Sequence, residues 1–433
     1  MKGEQITLSQ RQLQRYRVMT LVEAGKITLK EAAEKIGRSY RQAKRIWKRV
    51  KEEGVRGVVH RNSGKPSHHR LEEGVGERVL QLSQEKYPEF NDTHFTEKLL
   101  EGEGLELSRE TVRRLRRQAG IPPKRKRRAP KHRRRRDRKA QVGLMVLWDG
   151  SPHPWFGPDH PPGCLLVAMD DATGAILVAR FFPFEGSEGY LWLLQQLVRG
   201  YGIPVSLYHD RHGSLHRNDD HWTLAEQLAG RQEPTQVGRA LETLAIHSIP
   251  ALSPQAKGRI ERLFRTLQDR LGAELKLAGI TTPDTANAFL TGFCKTFNRR
   301  FAISPKEAEP AWRKVPEGLD LDRVISFRYS ATVGLDNTVR LGGLILDIPP
   351  GPHRRSYAKA QVEVRQLLDG SWRVYHQDQL IGKHPSTTLR EPIRALRRRK
   401  PPAIAAKGDN WVYLASAPPN ENSGIQNFTK GPL

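Results

Sequence analysis

Three acidic residues stand where a fold can gather them. Asp149 ends the apolar run 142–149 (VGLMVLWD), and Asp210 ends a second run, 205–210 (VSLYHD). Glu261 lies in 253–262 (SPQAKGRIER), at the opening of an amphipathic helix. The spacing is D-x60-D-x50-E. Carboxylates are hard oxygen donors, and three brought to one point can hold two divalent ions for chemistry on a phosphodiester. Such ligands suit Mg2+, with Mn2+ as a substitute. The neighbouring acids have plainer readings. Asp170 and Asp171 fit the turn DDATG, where Asp favours the bend. Glu185 and Glu188 suit the start of a helix, near its positive end. His209, His212, His216 and His221 crowd the second acid, but their irregular spacing matches no zinc-ligand pattern.

The elements that must position these acids lie in 140–305. Strand-like runs at 142–149, 164–169, 175–182 and 204–209 are followed or separated by helical stretches at 187–200, 236–246, 254–278 and 284–299. Three strands, a helix, a strand and further helices predict an α/β layer fold. Asp149 and Asp210 then fall at the ends of strands that can be neighbours. Ser253 is a natural cap and Pro254 a natural first residue for the third helix. Its stripe Ile260, Leu263, Phe264, Leu267 and Leu271 faces a core and leaves Glu261 off it. Gly258 inside that helix suggests close approach of DNA or another backbone. Trp148 and Trp155 read as core or loop anchors.

The chain has 433 residues and a net charge of +26, which predicts several domains and a polyanionic partner. The charge is clustered. Residues 1–60 read as three helices with Ser9, Thr28 and Ser39 as caps, the last two helices forming a helix-turn-helix. Tyr40, Arg41, Lys44 and Arg45 on the third helix are candidate DNA contacts. A second helical DNA-binding module is expected at 70–121, with Arg113, Arg114 and Arg117 as contacts. Between Lys124 and Lys139, 12 of 16 residues are Lys or Arg, too many like charges to pack, so 122–139 reads as a linker lying along phosphates. Arg211, His212, Lys257 and Arg259, beside the acids, are further candidate DNA contacts, and Asn298, Arg299 and Arg300, which close the last core helix, are expected to touch DNA as well. Alternating strands at 320–385, with turns at Asp336-Asn337 and Asp369-Gly370, predict a small β-barrel. Residues 390–433 read as a basic, disordered tail.

Only two cysteines, Cys164 and Cys294, are present, so neither a disulfide framework nor a cysteine-based zinc site can be built. No apolar run approaches the roughly 18 residues of a membrane span. A cytoplasmic, nucleoid-associated protein with no membrane partner is expected.

From about residue 8 to 385 the chain resembles DDE transposases of bacterial insertion sequences, of the ISNCY-like group. The resemblance rests on AGKITLKEAAEKIGRSYRQAKRIWKRVKEEG, WDGSPHPWF, LLVAMDDATGAILVARF, YHDRHGSLHR and IPALSPQAKGRIERLFRTLQDRLGAELKLAGI, in that order. It implies an RNase H-like core with Asp149, Asp210 and Glu261 as catalytic, metal-holding carboxylates, and an SH3-like C-terminal barrel. It also implies two Mg2+ ions, terminal inverted repeats and target DNA as partners, and a homo-oligomer on DNA. The reaction implied is cleavage at element ends, then strand transfer by the 3′-OH. A DNA-binding regulator, an inactive domesticated relative, or a nuclease without strand transfer are the alternatives. The interval from Asp210 to Glu261 is longer than in retroviral integrases, and 213–234 reads as an inserted loop.

Overall fold

The computed structural model describes residues 7–60, 62–63, 71–125, 129, 136–251, 258–351 and 356–387. The Ser253 cap, Pro254 and Lys257, most of the basic linker, and the tail from 390 lie outside them. The chain divides into two compact units: residues up to Gln84 with Arg114–Gly120, and Glu85–Arg113 with everything from Ile121.

The first unit opens with α1 (Gln10–Glu23), α2 (Leu29–Lys35) and α3 (Tyr40–Glu53). Each begins where a hydroxyl can satisfy an orphan amide. Ser9, Thr28 and Ser39 accept from Gln12, Glu31 and Gln42 N–H, and the first two complete capping boxes. Val18, Met19, Ala32, Ala43, Ile46 and Val50 close a small core. Next come α4 (Val75–Glu85), α5 (Asp92–Glu103) and α6 (Arg109–Gln118). The stretch expected as one second module is thus shared: α5 belongs to the second unit, while α4, bar its last residue, and the second half of α6 belong to the first.

The second unit is built on a five-stranded sheet. Its strands are β1 (Met145–His153), β2 (Gly163–Asp170), β3 (Ile176–Phe182), β4 (Ser206–His209) and β5 (His247–Pro250), in the order β3-β2-β1-β4-β5. The first three pair antiparallel; β4 runs parallel to β1, and β5 parallel to β4. Alternation along the strands makes two apolar faces. Val146, Trp148, Leu166, Ala168 and Leu207 face one cluster with α7 (Ser187–Tyr201) and, after the short α8 (Leu224–Ala229), α9 (Gln236–Thr243). Gly189 lets α7 lie close on the sheet, since a Cβ there would meet Leu166 Cδ1 at 2.3 Å. Met145, Leu147, Leu165 and Val167 face the other cluster with α10 (Gly258–Leu277) and α11 (Pro283–Phe301). All five residues of the expected α10 stripe are buried. Trp148 and Trp155 are buried anchors, at 0% and 2% exposure.

Two polar devices fix α10 and α11. Asn298 and Asn287 each both accept from and donate to the backbone of β3, at Ile176 and Phe181. Helix α5 docks by charge: Glu97 accepts from Arg270 at 2.5 Å and from Arg300 at 2.5 Å, and Glu274 meets Lys98 at 2.7 Å and His94 at 2.8 Å. Arg300 and Asn298, expected toward DNA, are therefore engaged within the chain.

Beyond α12 (Leu321–Val324) lie β6 (Phe327–Thr332), β7 (Thr338–Leu341), β8 (Leu344–Asp347), β9 (Gln361–Gln366), β10 (Trp372–His376) and β11 (Gln379–His384). The expected barrel is not formed among the described residues. The sheet β11-β10-β9-β6 is open, and β7 pairs only with β8. Its apolar face joins the α7–α9 cluster through Phe327, Val364, Trp372 and Val374, so burial is achieved without closure. No described helix is long and apolar enough to cross a membrane.

Arg270 is only 8% exposed, so removing its partner leaves a charge poorly solvated. Glu97→Ala is expected to destabilise the second unit by on the order of 3 kcal/mol. Urea unfolding checks this; an unchanged midpoint would make the α5 ion pairs incidental.

Candidate functional site

The parallel pairing of β1 with β4 sets Met145 against Ser206, Val146 against Leu207 and Leu147 against Tyr208. Continued two residues, that register puts Asp149 abreast of Asp210. One expectation is corrected here: Asp149 does not end its strand. Strand β1 runs on to His153, because Gly150–His153 pair with Gly163–Leu166 of β2. Asp210 does follow the last residue of β4.

A third carboxylate joins them, and it is Glu185. One oxygen each of Asp149, Glu185 and Asp210 lies within 4.8 Å of the others, an arrangement that can hold a metal ion. All three are half-buried. Glu185 sits between β3 and α7, just before the helix cap Gly186, so the helix-start reading gave its place in the chain and missed its direction. Two neighbours aim it. Gly150 leaves the space that Glu185 fills, since a Cβ there would meet Glu185 Oε2 at 2.5 Å. From below, the wholly buried Tyr190 donates its hydroxyl to Glu185 Oε1 at 2.5 Å. Burial, then the charges of Glu185, Asp149 and Asp210, push the Tyr190 hydroxyl well above its ordinary pKa, so it remains a donor.

The aspartates are fixed by local backbone. Asp149 Oδ1 accepts from Gly150 N–H at 3.1 Å, and Asp210 Oδ1 from His212 N–H at 2.9 Å. His209 is fully buried, with Nδ1 2.5 Å from the Asp210 carbonyl and Nε2 2.7 Å from Ser248 Oγ. A carbonyl only accepts, so Nδ1 carries a proton, and Nε2 shares a hydrogen bond with the Ser248 hydroxyl. This ties the end of β4 to β5.

Glu261 occupies the first turn of α10, exposed and outside this carboxylate group. Among the described residues nothing lies within 4 Å of a Cβ added at Gly258, so no described backbone packs against that glycine. Arg259 points to Asp171 rather than outward. Arg211 is exposed beside half-buried His212. The stretch 213–234 is more than a loop. It carries α8, and its buried Glu226 is held at a pKa of about 2 by the N–H groups of Thr223 and Glu233, the Thr223 hydroxyl and Arg217.

On the helical side, Tyr40, Arg41, Lys44 and Arg45 are all exposed while Ala43, Ile46 and Val50 are buried, so α3 presents one basic face. Arg113 and Arg114 are exposed on α6; Arg113 also pairs with Glu110 at 2.6 Å, and Arg117 is half-buried.

The donor set suits a hard divalent cation: three carboxylates and no thiol or imidazole nitrogen in the group.

Residues 14–67 match the family model of a helix-turn-helix domain. The chain is 36% identical over 390 residues to y4bF of Sinorhizobium fredii (strain NBRC 101917 / NGR234), a protein named as a transposase, spanning 87% of this chain and 83% of that one. It is 29% identical over 438 residues to the transposase for insertion sequence IS1202 of Streptococcus pneumoniae, covering 89% and 90% respectively. Among solved structures it is similar to a chain of the simian T-cell lymphotropic virus intasome in complex with PP2A regulatory subunit B56 gamma. That match has 14% identity and a TM-score of 0.30, and it covers 71% of this chain and 99% of that one.

Gly150→Ala is expected to displace Glu185 without unfolding the sheet, since the atoms struck are the far end of a flexible side chain. The rise in Tm produced by Mn2+ or Ca2+ should shrink in this variant. An undiminished rise would remove Glu185 from the ion-holding group.

Proposed function

Because the chain belongs to the transposase family, we propose that its DNA cleavage and joining are carried out at the carboxylates Asp149, Asp210 and Glu261, with Glu185 beside them. The protein is a DNA transposase, a polynucleotidyl transferase of the DDE type. The reading is supported for Asp149 and Asp210 by their meeting with Glu185 across β1, β4 and the β3–α7 connection; for Glu261 it rests on the motif at the opening of α10. A regulator without chemistry has no use for three like charges so close together.

The core 140–305 is read as RNase H-like. Two Mg2+ ions, replaceable by Mn2+, would be held by Asp149, Asp210, Glu185 and Glu261. When bound, they supply positive charge against the reacting phosphodiester and lower the pKa of the attacking hydroxyl. Water then attacks the phosphodiester at the element's end, the P–O3′ bond breaks, and a free 3′-OH remains. That 3′-OH attacks a target phosphodiester, one P–O bond forming as another breaks. The protein's own groups prepare this. Tyr190, kept neutral, orients Glu185. His209 and Ser248 hold the end of β4, and with it Asp210. Arg211 and His212 are placed to meet phosphates beside the acids. The basic face of α3 supplies major-groove and phosphate contacts at terminal repeats, and the linker 122–139 supplies further phosphate contacts. Two element ends must be held together, which calls for several copies of the chain on DNA.

The test uses labelled duplexes carrying the element's own terminal sequence, with Mg2+. Nicking at the end followed by joined products is expected, with both reactions falling below detection in Asp149→Asn, Asp210→Asn and Glu261→Gln while DNA binding persists. Retained cleavage in any of the three removes that residue from the site. Nicked but never joined products would support a nuclease instead. Separately, Arg45→Ala should weaken binding and make the slope of log K against log salt shallower by about 1. An unchanged slope would take Arg45 off the phosphate backbone.

A further inference from the structure

The turn after β2 holds a buried carboxylate that the chemistry above does not use. Asp171 is 0% exposed. Its Oδ1 accepts from Arg136 Nη2 at 2.6 Å and from Arg259 Nη1, and its Oδ2 from Arg136 Nη1 at 3.1 Å and Lys139 N–H at 2.9 Å. Arg259 also donates to the Arg136 carbonyl, and Arg138 to the carbonyls of Asp171 and Ala172 at 3.1 and 3.3 Å. Burial pushes the Asp171 carboxyl up, but Arg136, the Lys139 N–H and Arg259 together hold it below its ordinary pKa.

The partners come from two segments with separate tasks. Arg136–Lys139 are the last residues of the basic run. Arg259 is in the first turn of α10, two residues before Glu261. One carboxylate therefore fastens the linker and the Glu261 turn to the same point of the sheet. The two holds are unequal: Arg259 is 13% exposed, whereas Arg136 is 45% exposed and within reach of an outside anion. A buried carboxylate that loses a partner is left undercompensated, so loss at either arginine is felt at the other.

We propose that Asp171 is a positioning residue for Glu261, and that its hold on the first turn of α10 depends on Arg136 of the basic linker. The proposal rests on the reading of Glu261 as a catalytic carboxylate. A phosphate that draws Arg136 away changes the charge balance around Asp171 and, through Arg259, the setting of Glu261. DNA on the linker and ions at the acids are then linked, and each alters the other's affinity by the same factor.

The experiment uses the full chain with Arg136→Gln, Arg259→Gln and Asp171→Asn. Arg136→Gln is the safeguard, because a half-exposed linker side chain can be changed without emptying the core. Two quantities are read: the Mn2+ concentration giving half-maximal end cleavage, and the Mn2+-dependent rise in Tm without DNA. The expected result is a half-maximal concentration raised about tenfold, the range for groups that orient a ligand. The Tm rise should shrink in each variant, and should shrink no further when Arg136→Gln is added to Glu261→Gln. Unchanged metal dependence in Arg136→Gln and Arg259→Gln, or losses that add to that of Glu261→Gln, would overturn the proposal alone. Normal cleavage by Glu261→Gln itself would overturn the reading beneath it, and the proposal too.

Discussion

The site depends on one pairing, the parallel ladder between β1 and β4. A parallel ladder sets residues abreast at a fixed spacing and points their strands the same way. Here it brings two aspartates together from positions 149 and 210 of the chain. The antiparallel ladder of β1 with β2 fixes the other side, and α7 and α10 hold the sheet from its two faces. A slip of one residue between β1 and β4 would turn the side chains of β4 to the opposite face and part the acids. The apolar alternation that buries Val146 and Trp148 on one face, and Met145 and Leu147 on the other, opposes any such slip.

Crowding like charges costs free energy in the absence of a counter-ion, and the surroundings of the site meet that cost by fixing each carboxylate separately. Backbone N–H groups hold the two aspartates, and a buried phenol holds Glu185. None of these donors carries a formal charge. The arginines nearby are used differently. Arg136 and Arg259 close on Asp171, away from the three facing acids.

Much of this was legible in the sequence, and the failures share a cause. Helix caps at Ser9, Thr28 and Ser39 are local, so residue type and spacing were enough. Asp149 and Asp210 stood out because each closes an apolar run, although the end of β1 was set by its partner β2 and lies four residues further on. Glu185 could not be read, because its place depends on a loop crossing β1 where Gly150 leaves room, and no periodicity records that. β5 was missed because none of its four residues is fully buried, so it carries no apolar signal. The C-terminal strands were expected from alternation, but alternation says nothing about closure. The turn at Asp369-Gly370 does join β9 to β10, whereas β7 and β8 meet through Gly342-Gly343, both with positive φ. Asp336-Asn337 only bends the chain ahead of β7.

The two margins of the five-stranded sheet have a consequence for any encounter between chains. Open strand margins are templates on which a second chain can add itself. On one side the amides of Asn287 and Asn298 already occupy backbone groups at both ends of β3. On the other, β5 is four residues long and ends at Pro250, which has no N–H to offer. Neither margin invites strand addition. A second chain laid alongside therefore finds no free strand to extend at either margin of this sheet, and a contact made there falls to side chains rather than to a shared ladder.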